Sequence, residues 1–583
     1  MTMKLGGEVV AAMLAAEGVD TVFGIVDGTY LGLFASFEKY GIRFYSPRHE
    51  TCALHMAGAY ARVTGRLGVC IASNGPGVAN ALPGVAVENG EGNRVLLLTS
   101  CRRTGIAYPD RGGTYQYFDQ AAVTRPMTKW SGAVPSFERI PEFMRLAFRV
   151  SHRGRPGVVH VDLPENVING AFEAPADVVR APHEYRRVEP IRAPAADVAR
   201  VARWLREADS PLIHAGSGIV HALAHDELLE LAELVHAPVT TSWGARAVMP
   251  DAHKLAVPVP LMPVVNEMRA GSDRVLVVGS RLGETDWWGK APYWGRTGEQ
   301  RIAQVDCDEE ILGLNKPVEL AVLADARMFL AELAEALRAE PVDGERMRRR
   351  EERVVALAES KQRARAELDL ALENRDSPIH PAQVPHLCDQ VFDEDAIVVI
   401  DGGNTAVWTT FFHEVKCAGP VLSTFKLGML GAGVSQALGA KIAAPEKQVY
   451  CVIGDGAMGF HAQELETAVR HRLPVTYIVL CDKQWGMVKL TQTMGLPGMR
   501  EVLGVDTEGT INADFQEIAF DKLAESMGAH GERVSSPDEL RAALTRCVGQ
   551  GGPSVVHVDV DPMQHLFAPG LQEFKAMHQE PTG

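Results

Sequence analysis

Residues Gln448 to Lys489 read QVYCVIGDGAMGFHAQELETAVRHRLPVTYIVLCDKQWGMVK. The apolar run Gln448 to Ile453 predicts a short strand. Gly454-Asp455-Gly456 leaves it in a turn tight enough to require small residues. Phe460 to His471 has helical spacing, with Leu465, Ala468 and Val469 on one face. Pro474 to Leu480 predicts a second buried strand, which ends at Cys481-Asp482 before Lys483, Gln484, Trp485 and Gly486. Two parallel strands joined through a helix place Asp455 and Asp482 at the carboxyl edge of one sheet, where open α/β sheets bind ligands. Oxygen ligands there suit a hard ion such as Mg2+, usually held by a few carboxylates and substrate phosphates. An ordinary strand-to-helix turn with two solvated aspartates is the plainer reading.

The rest of the chain bounds the possibilities. It has 583 residues, enough for several domains, and 46% of them are hydrophobic. The formal charge is −16 and the pI about 5.7, so broad attraction to nucleic acid or anionic membranes is not expected, and an anionic ligand needs a local site. The nine cysteines include no CxxC pair and no zinc spacing, which points to a reducing, cytoplasmic compartment. MTMKLGGEVVAAML lacks the form of a signal peptide, and no apolar run reaches membrane-spanning length.

Strand and helix patterns alternate three times, which predicts an α/β chain of three doubly wound parallel-sheet domains. The first covers residues 1–170, with strands near Thr21 to Val26, Ile42 to Ser46, Leu67 to Ala72, Arg94 to Thr99 and Gly157 to Leu163. Within it, TCALHMAGAYARVTG predicts a helix whose small residues Ala53, Ala57, Gly58 and Ala61 allow close packing against another helix or subunit. Residues 171–195, rich in Pro, Arg and Ala, read as a linker. A second unit covers 196–340, with strands Pro211 to His214, Pro238 to Thr241, Arg274 to Val278 and Arg301 to Val305. Its Gly216-Ser217-Gly218 reads as a plain turn, since a lone GxG is a weak phosphate signal. Residues 341–378 are charged and helical and read as a solvated linker helix. The third unit covers 379–562. The tail, 563–583, is expected either to cover an active site or to fray. PGVVHVDLPENV near residue 160 echoes PSVVHVDVDPMQ near residue 557, as a duplicated domain would.

The stretch from Gly454 to Asp482, with its flanking ELETAVRHRLPV, resembles the diphosphate and metal motif of the thiamine diphosphate-dependent enzymes. RHETCALHMAGAYARVTG resembles the RHE segment of that family's pyrimidine-binding domain. The resemblance spans nearly the whole chain and implies pyrimidine-binding, middle and diphosphate-binding domains in that order. It implies that Asp455, the Asp482 side chain and the Gln484 backbone carbonyl hold Mg2+, with Cys481-Asp482 standing where the family has two asparagines. Gly454, Gly456 and Ala457, with Gly403, Asn404 and Thr405 of the Asp401–Thr405 turn, would cradle the diphosphate. Glu50 would share a proton with the cofactor's pyrimidine ring, a role suited to a carboxyl in apolar surroundings, which holds its proton more tightly. A helix-start glutamate facing the dipole is the other reading. In FKLGMLGAG, Leu430 would sit under the bent cofactor and Gly428 would offer its carbonyl. The resemblance further implies a homodimer in which Glu50 and Asp455 of different subunits meet, and a homotetramer beyond it.

The expected reaction is C–C bond formation or cleavage on a 2-oxo acid or related carbonyl, as in acetolactate synthases. Tyr115-Gln116 matches a Phe-Gln pair of acetolactate synthases and 2-hydroxyacyl-CoA lyases, and Gln116 could hydrogen-bond a substrate oxygen. DKQWGMVKLTQ resembles the acetolactate synthase segment after the metal ligand, with Thr491 where an acceptor-pocket aromatic stands. Trp485, Lys489 and Gln492 share a helical face; they either line the pocket or pack and face solvent. Asp27 either faces substrate or is a turn aspartate. FGIV and YQYFDQ look nearer to the 2-hydroxyacyl-CoA lyase and oxalyl-CoA decarboxylase branch. FAD or a CoA/ADP nucleotide could occupy the middle domain, though no residue supports either. GAGVSQALG lacks a proper dinucleotide fingerprint and a ribose-binding acid. A non-catalytic regulatory or binding homologue is the alternative from another class.

Overall fold

The computed structural model describes residues 2–107, 110–419, 421–577 and 579–581. They form two compact units. The first comprises Met1–Glu189, Thr424–Pro445 and His461–Leu473, and the second Pro190–Ser423, Glu446–Phe460 and Pro474–Gly583.

The first unit is built on a six-stranded parallel sheet of Thr21–Gly24, Arg43–Tyr45, Gly68–Ala72, Val95–Cys101, Trp130–Ala133 and Val158–Pro164. Numbered in chain order, the strands lie in the spatial order 2-1-3-4-6-5. The central strands are buried on both faces, which is why they read as continuous apolar runs rather than alternating ones. Helix Glu50–Thr64 packs along helix Ala432–Ala443 of the same unit. Small residues make that approach possible: a Cβ on Gly439 would lie 2.3 Å from the Met56 carbonyl oxygen. The expected linker 171–195 is only partly a linker. Ala171–Ala174 pairs antiparallel with Thr2–Leu5, and Arg186 forms an ion pair with the buried Glu17 side chain.

The second unit holds two further parallel sheets. One contains Pro211–Ala215, Val239–Thr241, Ala256–Val257, Arg274–Val278, Arg301–Asp306 and Leu320–Leu323 in the order 3-2-1-4-5-6. Ala256–Val257 and Leu320–Leu323 were not legible as strands, the first because it has two residues, the second because it alternates buried and exposed at the sheet edge. Gly216 and Gly218 are glycines for packing: a Cβ would lie 2.1 Å and 2.6 Å from the Gly279 backbone. The plain-turn reading of that GxG is therefore enough.

The remaining sheet contains Ile397–Asp401, Val421–Leu422, Val449–Gly454, Val475–Cys481, His530–Val534 and Ser554–Asp559, again in the order 2-1-3-4-6-5. It repeats the topology of the first unit's sheet, and the two echoing VVHVD segments are the sixth strand of each. That is the arrangement a duplicated domain produces.

Two expectations need correction, and the two readings of the tail are narrowed to one. The helix Gly344–Asp369 is not simply solvated, because Arg350 is 1% exposed and its guanidinium donates to the carbonyls of Leu205, Ala208 and Val235. Burial pushes the Arg350 pKa down to about 10. The helix expected over Phe460 to His471 is two helices, Asp455–His461 and Glu464–Arg470. The first starts at Asp455 because that carboxylate accepts the Gly456 N–H, at 2.7 Å, at the helix start. The tail does not fray up to Met577: helices Pro562–Leu566 and Leu571–Met577 bury Leu566, Leu571 and Met577. Among the described residues, no helix is long and apolar enough to cross a membrane.

Candidate active site

Asp455 and Asp482 follow the neighbouring strands Val449–Gly454 and Val475–Cys481, which are paired in parallel register with Gly454 opposite Leu480. Both side chains are buried. Asp455 Oδ2 accepts the Lys483 N–H at 2.8 Å, which ties the two turns together. Burial, reinforced by the Asp482 carboxylate, pushes the Asp455 pKa up to about 7. Asp482 Oδ2 accepts from His565 Nδ1 at 2.6 Å and from Gln484 Nε2 at 3.0 Å. The third residue of the Gly-Asp-Gly turn has a steric reason: a Cβ on Gly456 would sit 2.6 Å from the Trp485 ring.

The Asp401–Thr405 turn lies one strand away, after Ile397–Asp401. Gly402 has φ 103, outside the range of most L-residues. Helix Asn404–Phe412 starts from this turn, so its first N–H groups have no intrahelical partner. The Asn404 side chain donates to the Leu566 carbonyl at 3.3 Å, and its buried Oδ1 has no hydrogen-bond partner among the described residues. Thr405 Oγ1 lies 3.1 Å from His565 Nε2. Trp485 is half-buried against Phe460 and Phe515. Lys489 is paired with Asp514 at 2.6 Å, and Gln492 exchanges hydrogen bonds with the Ile511 backbone. In this structure, then, Lys489 and Gln492 fasten the loop that follows their own helix.

In the first unit, Glu50 is the first residue of helix Glu50–Thr64 and is buried. Its Oε2 accepts from Asn80 Nδ2 at 3.1 Å. The segment leading into it is held by the buried Glu464, whose carboxylate accepts the Arg48 N–H at 3.0 and 3.1 Å. Asp27 caps the short helix Gly28–Tyr30 by accepting the Thr29 N–H at 2.8 Å, which is the turn-aspartate role. Thr29 Oγ1 reaches Ser100 Oγ, which accepts the Asn74 N–H. The Asn74 side chain in turn donates to the Gln116 carbonyl at 3.0 Å. One polar chain thus joins Asp27 to Gln116. Gln116 has φ 53 and is exposed, as is Tyr115. Gly428 has φ 66, with its N–H donating to the Thr424 carbonyl, and Leu430 is partly buried. The sequence reading missed His565, Asn80, Glu464 and the connecting role of Asn74. Glu464 had a sequence signal in its place in ELETAVRHRLPV, and Asn74 in the Ser73-Asn74-Gly75-Pro76-Gly77 turn.

The donors fit a divalent cation. Two buried carboxylates on adjacent strand ends, one with its proton affinity raised by burial and by the other, form an all-oxygen set that a hard cation would relieve. The Gly-rich turns at Asp401–Thr405 and Gly454–Gly456 end neighbouring strands, and backbone N–H groups in turns of this kind suit a phosphate.

Comparison with known proteins places the chain in one family. Residues 4–123 match the N-terminal TPP binding domain of thiamine pyrophosphate enzymes, 198–333 their central domain and 401–558 their C-terminal TPP binding domain. The acetolactate synthase large subunit of Corynebacterium glutamicum is 30% identical over 552 residues, covering 93% of this chain and 84% of that protein. A probable acetolactate synthase large subunit of Methanocaldococcus jannaschii is 29% identical, covering 96% of this chain and 93% of that protein. The acetolactate synthase isozyme 3 large subunit of Escherichia coli is 28% identical, covering 97% and 96%. The chain belongs to the thiamine pyrophosphate-dependent enzymes, in a family that includes the acetolactate synthase large subunits.

Proposed function

We propose that this enzyme is a Mg2+-dependent carboligase that joins a 2-oxo acid to a second carbonyl compound, as an acetolactate synthase does. The observation that carries the reading is the pair Asp455 and Asp482 at adjacent strand ends, within a chain similar along its length to acetolactate synthase large subunits. When bound, thiamine diphosphate supplies the electron sink that such chemistry needs at a carbonyl carbon. Asp455, Asp482 and the Gln484 carbonyl hold the cation. Gly403, Asn404, Thr405, Gly454, Gly456 and Ala457 cradle the diphosphate, while Gly428 and Leu430 position the rings. Glu50 holds and returns a proton at the pyrimidine nitrogen. Gln116, on a backbone strained into positive φ, orients a substrate oxygen beside Tyr115 and Asp27. Trp485 walls the pocket, and Lys489 meets a substrate carboxylate by exchanging it for Asp514.

The domains in this reading are 1–170, 196–340 and 379–562. The working form is a homodimer with shared active sites, assembled into a homotetramer. The compartment is the cytoplasm, in keeping with nine free thiols.

Calorimetric titration of metal-stripped protein with thiamine diphosphate, with and without Mg2+, tests the cation. Product analysis by mass spectrometry, with 2-oxo acids alone and in pairs, tests the reaction. Metal-dependent binding and a ligated product are expected. Binding without Mg2+ dependence, or turnover confined to 2-hydroxyacyl-CoA substrates, would overturn the reading.

A further inference from the structure

His565 is 4% exposed and sits on the helix Pro562–Leu566, beyond the last strand of the sheet. Its two ring nitrogens face different elements. Nδ1 lies 2.6 Å from Asp482 Oδ2, and Nε2 lies 3.1 Å from Thr405 Oγ1. A carboxylate oxygen can only accept, so Nδ1 carries the hydrogen, and the ring orientation is fixed from both sides. Four further hydrogen bonds hold the helix itself in place. The Asp561 carboxylate caps it through the Met563 and Gln564 N–H groups. Trp408 Nε1 donates to the His565 carbonyl at 3.1 Å, and Gln484 Nε2 to the Pro562 carbonyl at 2.8 Å.

The same Gln484 nitrogen also donates to Asp482 Oδ2 at 3.0 Å. Two donors therefore converge on one oxygen of Asp482. The other, Oδ1, has only the Gln484 N–H at 3.4 Å among the described residues. A carboxylate with one oxygen doubly held cannot rotate to present the other differently. Outer partners of this kind orient ligands and are worth about 10–100-fold in metal affinity.

We propose that His565 is a positioning residue for the cation site, holding Oδ2 of Asp482 so that Oδ1 remains the ligating oxygen. The C-terminal segment is then part of the metal centre. The inference rests on the reading of Asp455 and Asp482 as cation ligands, and the test separates the two.

Mn2+ is the probe. Its binding to the full-length protein with thiamine diphosphate is followed by electron paramagnetic resonance of the free ion. His565→Ala is expected to weaken Mn2+ binding about 10–100-fold. His565→Asn, whose amide nitrogen can occupy the place of Nδ1, is expected to stay within about threefold, whereas His565→Gln, which reaches toward Nε2, is not. In an Asp482→Asn background, His565→Ala is expected to cost less than about threefold, because its effect runs through Asp482. Unchanged Mn2+ affinity in a folded His565→Ala protein would overturn the inference alone. So would an equal loss in both backgrounds, or rescue by Gln rather than Asn. Should His565→Ala fail to fold by circular dichroism, the Asn and Gln variants decide between these outcomes. If the unsubstituted protein binds no Mn2+, both the inference and the ligand reading fall.

Discussion

Oδ2 of Asp455 accepts the backbone N–H of Lys483 at 2.8 Å, so the turn leaving one strand grips the turn leaving its neighbour. Lys483 has φ 60, unusual for a residue with a side chain, and this hydrogen bond helps hold it there. Asp455 thus shapes the loop that carries Asp482 and Gln484, in addition to the ligand role proposed for it. Asp455→Ala is expected to lower the Mg2+-dependent affinity for thiamine diphosphate by more than about 100-fold, beyond the range for an outer-sphere residue. Calorimetry of the folded variant checks this, and affinity within tenfold of the unsubstituted protein would contradict it.

Glu50 is buried, with one carboxylate oxygen taken by Asn80. Glu50→Gln preserves shape and hydrogen bonding but cannot move a proton. Turnover is expected to fall about 10²–10⁴-fold, the usual range for general acid–base groups, while cofactor affinity changes little. Steady-state rates alongside calorimetry test the split. A variant that keeps full turnover would leave Glu50 as a helix-start residue only.

Asp162 lies in the core of the first unit, where Oδ1 accepts from Thr99 Oγ1 at 2.6 Å and from Gln120 Nε2 at 2.8 Å. Burial pushes its pKa up to about 7, well above the usual carboxylate range near 3.8. The folded state therefore holds this proton over a range in which the unfolded chain has lost it. The stability it contributes is fully present below about pH 4 and is lost as the pH rises through about 7. Asp162→Asn imitates the protonated form. Its melting temperature, relative to the unsubstituted protein, is expected to rise between pH 4.5 and pH 7.5 by differential scanning calorimetry. A gap that is flat across that range would show the carboxyl to be ionised throughout.

Gly456→Ala places a methyl 2.6 Å from the Trp485 ring. Relief requires the indole to move, and overpacking of this kind costs about 1–3 kcal/mol. A lower melting temperature with altered tryptophan fluorescence is expected. An unshifted melt and spectrum would mean that the ring is not seated there in solution.

Much of the architecture was legible because parallel strands covered on both faces must be apolar along their whole length. Val475–Cys481 and Val95–Cys101 announce themselves in this way. Ala256–Val257 does not, being short and at an edge. The placement of Asp455 and Asp482 was legible for the same reason, since each immediately follows such a strand. The burial of Arg350 within the charged helix was not legible because helical charge periodicity does not show that a guanidinium will find carbonyls waiting beneath it.

By itself the sequence determined three α/β repeats, the thiamine diphosphate motif with its aspartate in place of asparagine, and the glutamate of the RHE segment. These depend on local period, turn chemistry and spacing along the chain, all of which a linear string carries. Only the tertiary structure decided that His565 holds Asp482, that Glu464 holds the Arg48 backbone, and that Asn74 links Gln116 to the Asp27 turn. Those pairs lie tens to hundreds of residues apart, and a hydrogen bond depends on where two folded elements meet.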